Sequence, residues 1–206
     1  MALTNYTELQ ASVVDFLNRS DLTTVIPDFI TLCEADMNRT LRTREMTVRT
    51  RAVLDGQYLK LPSDFLGLRN IELQTDPVTP LQFRNLQNLD LHRVNNKTGK
   101  PLYFSIMQNN LEFAPIPDSV TEYTLEIVYY QKIPSLATFT TNWVIDTHPD
   151  LYLMGSLAQS APYLQADERI AVWAGRYSQI IEQIRTSDEN AKFSGSTPSI
   201  TFTPYG

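Results

Sequence analysis

The segment from Thr141 to Ile184, TNWVIDTHPDLYLMGSLAQSAPYLQADERIAVWAGRYSQIIEQI, permits few folds, because two apolar stripes at helical spacing lie on either side of one break. Leu151, Met154, Leu157, Ala158 and Ala161 make the first stripe. Ile170, Trp173, Tyr177, Ile180, Ile181 and Ile184 make the second. Recurrence at three and four residues places each set on one face of an α-helix. Thr147 stands where an N-cap would, with Pro149 in the first turn and Asp150 three residues after the cap. Gly155, Ser156, Ala158 and Ala161 keep this helix thin enough for a neighbour to approach closely. Pro162 marks its end, Tyr163 to Ala166 form the connection, and Asp167 is the cap candidate of the second helix. The segment predicts a helical hairpin with its two stripes facing each other.

Both chain ends read as helical. Tyr6, Leu9, Val13, Phe16 and Leu17 share a face behind an Asn5 cap, with Glu8 three residues on. From Pro27 a second pattern runs through Phe29, Ile30, Cys33, Met37 and Leu41. These stripes need a partner, and the C-terminal hairpin supplies one, which predicts a layer of four helices built from residues 1–44 and 141–187.

Residues 45–140 have a different period. Met46, Val48, Thr50 and Ala52 alternate with Thr47, Arg49 and Arg51, and Asp55-Gly56 predicts a β-hairpin into Tyr58, Leu59 and Leu61. Strands are also predicted at Leu68–Gln74, Thr79–Phe83, Leu102–Met107, Leu111–Ala114 and Glu122–Gln131, the last closing the sheet. Asn85–Val94 is a short helical stretch, and Asn109-Asn110 is a tight turn. The fold class is therefore α+β: a helical bundle layer from the N- and C-terminal helices, an inserted antiparallel β-sandwich or barrel-like domain, and an extended C-terminal arm at 188–206. Within it Ser194–Gly206 carries no charge and spaces Ile200, Phe202 and Tyr205 among Ser199, Thr201 and Thr203. Such a tail is either disordered or an arm that completes another chain's sheet or fills a groove.

A chain of 206 residues buries roughly 70% of its unfolded surface, enough for a real core. Its net charge of −6 argues against sequence-independent nucleic-acid binding and points to a protein partner. The single cysteine, Cys33, reads as core packing in a reducing compartment. No run of 18 apolar residues and no standard leader is present, so neither a membrane span nor export is expected. His92 and His148 have no metal-ligand spacing, and Asp15, Asp28, Glu34 and Asp36 read as solvent-facing helix positions. No nucleophile elbow, phosphate loop or zinc-protease motif occurs, so no catalytic, cofactor or metal residue is assigned. Arg39, Arg42, Arg44, Arg49 and Arg51 form one cluster with Glu45 the only acid among them. It reads as a solvated edge, as an ion-pair surface toward another subunit or a partner protein, or as a DNA contact.

The combination of NW, PDLYLMGSLAQSAPYL, DER and W-x-x-RY, preceded by LEIVYYQKIP and LPSDFLGLRNI, resembles the head-to-tail adaptor (connector) proteins of tailed bacteriophages. The resemblance runs from about Ala52 to Ile184 and rests on packing and capping residues rather than chemistry. It implies a structural virion protein of the neck or tail, not an enzyme, assembled in the bacterial host cytoplasm without a cofactor or membrane. It further implies a homo-oligomeric ring, typically a dodecamer, that joins the portal to the next tail component, a nozzle or tail tube. Such a ring continues the DNA channel without binding DNA specifically. In that family a C-terminal segment reaches the portal, which would make Ser199, Ile200, Thr201, Phe202, Thr203, Pro204 and Tyr205 the portal-binding arm. A virion-associated enzyme such as a cell-wall hydrolase and a DNA-contacting gatekeeper remain as alternatives.

Overall fold

The computed structural model describes residues 3–92, 98–118, 121–164 and 168–193. The first helices are α1 (Tyr6–Leu17) and α2 (Ile26–Thr40), followed by strands β1 (Thr47–Leu54), β2 (Tyr58–Lys60), β3 (Phe65–Leu73), β4 (Thr79–Pro80) and β5 (Gln82–Phe83). After α3 (Leu86–Leu91) come β6 (Tyr103–Met107), β7 (Asn110–Ala114) and β8 (Tyr123–Gln131). The chain ends in α4 (Leu136–Phe139), α5 (Trp143–Thr147), α6 (Pro149–Gln159) and α7 (Arg169–Phe193). Two compact units result: residues before Glu45 with those after Lys132, and Glu45–Lys132.

In the helical unit α6 is the centre, packed against α1, α2, α5 and α7. Leu151, Tyr152, Leu153, Gly155, Ser156 and Leu157 are all buried, more than one stripe would provide. Leu9, Val13 and Leu17 of α1, Phe29, Ile30, Cys33 and Met37 of α2, and Trp173, Tyr177, Ile180, Ile181 and Ile184 of α7 cover it. Asn5 caps α1 by accepting the Glu8 N–H at 3.0 Å, and Asn18 ends that helix in the left-handed conformation. Phe16, placed on the apolar face from sequence, lies at its margin and is 48% exposed.

Three expectations for this unit need correction. Thr147 is not a cap, because it closes α5: the cap is Asn142, whose Oδ1 accepts the N–H groups of Val144 and Ile145. The helix breaks at His148 because the residue before a proline is pushed out of the helical region. Residues 133–140 belong with the helices, since Ile133 and Leu136 are buried and their N–H groups donate to Asn38 Oδ1 and Glu34 Oε1 of α2, both at 2.8 Å. Finally, α7 continues to Phe193, so 188–193 is helical where an extended arm was expected; Asp188, only 6% exposed, extends the buried side of the helix beyond Ile184.

The β unit is two four-stranded sheets, in order β1-β8-β3-β4 and β2-β7-β6-β5, sharing one core. All pairings are antiparallel except β5 with β6. β8 does not close a sheet; it lies between β1 and β3, with Tyr123, Leu125, Ile127 and Tyr129 facing the shared core. Asp55-Gly56 makes no hairpin. Neither residue has the positive φ that a two-residue hairpin turn requires, and Leu54 and Leu61 on either side are buried in the core, so the link carries the chain from one sheet to the other. Thr79–Phe83 is likewise divided between sheets at the buried Leu81. The β6–β7 turn is Gln108–Asn109, one residue earlier than expected, with Gln108 at φ 53°.

Candidate functional site

The arginine cluster separates by unit. In the helical unit Arg39 pairs with Asp36 one turn earlier at 3.2 Å, and Arg42 donates to the Asn38 and Leu41 carbonyls at the end of α2. Arg44 meets Asp188 through both its backbone N–H (2.9 Å) and its Nε (3.2 Å), and Lys192 adds a contact at 2.6 Å. Burial alone would raise the Asp188 carboxyl, but Lys192 and Arg44 outweigh it and hold the group below the usual carboxylate range. The stabilisation from these bonds is therefore present at neutral pH and lost as pH falls through the depressed value. Asp188→Asn should unfold at lower urea than the parent at neutral pH, and the two should converge once pH falls below the depressed value. A gap that persists there would remove the charge from this account.

In the β unit Arg49 and Arg51 lie on the solvent face of β1, opposite Val128 and Glu126 of β8. Glu126 is 3% exposed and uses one oxygen for each arginine: Oε1 to Arg49 Nε at 3.3 Å and Oε2 to Arg51 Nε at 2.7 Å. The two guanidinium groups remain outside, with side chains 70% and 63% exposed. A residue not singled out from sequence completes this face. Arg69 sits where β3 shifts register between Leu68 and Asn70, a bulge that re-aims its side chain across β8. Its guanidinium lies 5.4 Å from the Tyr130 ring centroid and donates to Thr47 Oγ1 at 3.1 Å. Only the strand register reveals that Arg69 and Glu126 belong with Arg49 and Arg51.

Glu34, read as solvent-facing, is 6% exposed and accepts from Leu136 N–H (2.8 Å) and the Tyr152 hydroxyl (3.3 Å). Asn142 Nδ2 donates to that hydroxyl and to the Pro134 carbonyl, both at 2.7 Å. Burial, then the Glu34 charge, pushes the Tyr152 hydroxyl upward. The network holds 134–142 against α2 and α6. Asp36 is half-buried and accepts from the Tyr177 hydroxyl at 2.9 Å, while Asp15 and Asp28 are exposed as expected. Cys33 is fully buried, and burial followed by the nearby Asp36 and Glu34 charges raises its thiol far above the reactive range. His92 stacks on Tyr103 at 4.1 Å and His148 meets the Trp143 ring edge-on. Among the described residues no group of three or more His, Cys, Asp or Glu could hold a metal ion, and no helix is long and apolar enough to cross a membrane. The expected arm, Ser199–Tyr205, and the cap candidate Asp167 lie outside the described residues.

The buried Glu34, Tyr152 and Asn142 thus serve packing. A family model described as SU10 adaptor protein matches residues 4–199, spanning both units. No curated protein sequence matches the chain. With nearly its whole length covered, the chain belongs to the SU10 adaptor protein family and is a phage adaptor, a structural component of the virion.

Proposed function

We propose that the protein forms a homo-oligomeric ring, of the twelvefold kind implied by its resemblance to head-to-tail connectors, that docks on the portal and continues the DNA channel toward a nozzle or tail tube. The observation that carries this reading is the family match over 4–199. The uncharged tail with spaced Ile200, Phe202 and Tyr205 supports the view that residues 199–205 seat on the portal. It follows α7, whose 25 residues make a rod of ~37 Å. The work is assembly: the arm orders on docking, and ring symmetry turns weak contacts into avidity. An enzymatic reading is less well supported, since the buried carboxylates Glu34, Glu112, Glu126 and Asp188 are each engaged by groups of their own unit. The acidic balance fits DNA passing through without specific binding.

The mass of the protein in solution, alone and mixed with portal rings, tests this. Recruitment of a stoichiometric ring by the portal is expected, and a chain truncated before Ser194 should keep its fold and lose that recruitment. Portal binding unchanged by the truncation would sink the arm. A protein that neither assembles nor binds portal would sink the adaptor mechanism as a whole.

A further inference from the structure

Charge is unevenly divided along the chain. The helical unit's segments, 1–44 and 133–206, hold thirteen acidic and eight basic residues, whereas 45–132 holds ten and nine. Nearly all of the net −6 therefore belongs to the helical unit. Within it Asp15, Asp28, Asp146, Asp150 and Glu189 are exposed and make no ion pair among the described residues. The stretch 133–168 contains no Lys or Arg at all.

The outer face of β1-β8-β3 has the opposite character. Arg49, Arg51 and Arg69 lie on it with only two carboxylates, Glu126 and Glu72. Glu72 is occupied by side-chain amides, from Asn70 at 3.2 Å and Gln74 at 3.1 Å. Glu126 holds both neighbouring arginines through Nε. Neither guanidinium has another acceptor among the described residues, and both side chains stay largely exposed, at 70% and 63%. A guanidinium fixed through Nε still has its outer donor edge, and a fixed arginine loses less freedom on pairing with a carboxylate than a free one. Arg69, held over Tyr130 and bonded to Thr47, is fixed in the same way.

We infer that this arginine face is a copy-to-copy docking surface, and that its acceptor is the acidic helical unit of a second copy of this chain. The inference rests on the ring reading above and deepens it. Two unlike, complementary patches on one molecule make a head-to-tail contact, the kind that generates a ring when the rotation closes. Electrostatic complementarity of this type sets the pairing partner and speeds the encounter. DNA is the poorer fit: three arginines against two carboxylates leave a net of about one positive charge, while phosphate-backbone binding draws on many cations at once.

The test is self-association of the full chain, alone and on portal rings, by sedimentation velocity at low and high salt. Because removing the arginines alone would leave Glu126 unpaired, the variant is R49Q/R51Q/E126Q, with R69Q as a separate single change and circular dichroism to confirm the fold. Copy-to-copy association of the parent should weaken as salt rises. The triple variant should associate at least tenfold more weakly with a flattened salt dependence, R69Q should show a smaller loss in the same direction, and both should still bind portal through the tail. If the parent assembles and a folded triple variant assembles equally well with the same salt dependence, the arginine face is not the contact and the ring reading stands. If the parent never assembles under any condition, the ring reading fails and this inference with it. Loss of duplex DNA binding in the triple variant with assembly unchanged would assign the face to nucleic acid and overturn the copy-to-copy contact.

Discussion

Replacing Gly155 by alanine should destabilise the helical unit by about 3 kcal/mol, the upper part of the usual range for overpacking a tight core. A Cβ on Gly155 would stand 2.3 Å from Cys33 Sγ and 2.8 and 3.0 Å from two carbons of the Tyr177 ring. Neither neighbour gives way cheaply. Cys33 is a short side chain on the buried face of α2, and the Tyr177 ring is pinned by the bond from its hydroxyl to Asp36 at 2.9 Å. Gly175 on α7 is the internal comparison, since nothing lies within 4 Å of the position its Cβ would take. There the same substitution should stabilise by up to about 1 kcal/mol, because alanine is the better helix former. Both tryptophans, Trp143 and Trp173, belong to the helical unit, so tryptophan fluorescence in a urea titration follows that unit separately. Adding Cys33→Ala to Gly155→Ala should recover about 1 kcal/mol beyond additivity. Equal urea midpoints for Gly155→Ala and the parent would show that α2, α6 and α7 are not in close contact at this point.

Asn142→Ala should cost about 2–4 kcal/mol, the sum of a lost helix cap and of buried polar groups left without a partner. Its Oδ1 accepts from Val144 and Ile145 N–H groups, and its Nδ2 donates to the Pro134 carbonyl and the Tyr152 hydroxyl. The informative companion is Asn142→Asp, which keeps the capping oxygen, removes the donor and brings a second carboxylate toward the Glu34–Tyr152 bond. That variant should lose nearly as much stability as the alanine. Full stability for Asn142→Asp would mean that the cap alone matters and that the link to Glu34 contributes nothing.

These two sites differ in how far the sequence discloses them. Small residues in α6 signal a close approach, and Gly155 was among those singled out; that Cys33 and Tyr177 are what it touches is visible only after folding. Asn142 and Thr147 are both good capping residues, and the choice between them depends on whether the turn from Trp143 to Thr147 is itself helical. Glu34 was misread because a carboxylate on a helix belongs in water by default. Its donors come from Leu136 and Tyr152, more than a hundred positions away. The arginine cluster looked like one group because its members are close in sequence, yet Arg39, Arg42 and Arg44 belong to one unit and Arg49 and Arg51 to the other.

What the sequence determined by itself is whatever depends on a few turns of chain: the apolar period of each helix, the Asn5 cap, the alternation along β8, and hence two helical ends around a β middle. These signals are local because a period or a cap involves residues three or four positions apart. Tertiary structure decided which sheet each strand joins, why Asp55-Gly56 crosses between sheets, and how Glu126 gathers Arg49 and Arg51 while Arg69 reaches over β8. Strand order and side-chain pairing are set by burying Leu54, Leu61 and Leu81 in one shared core, and by satisfying buried polar groups with partners that the chain supplies from far away.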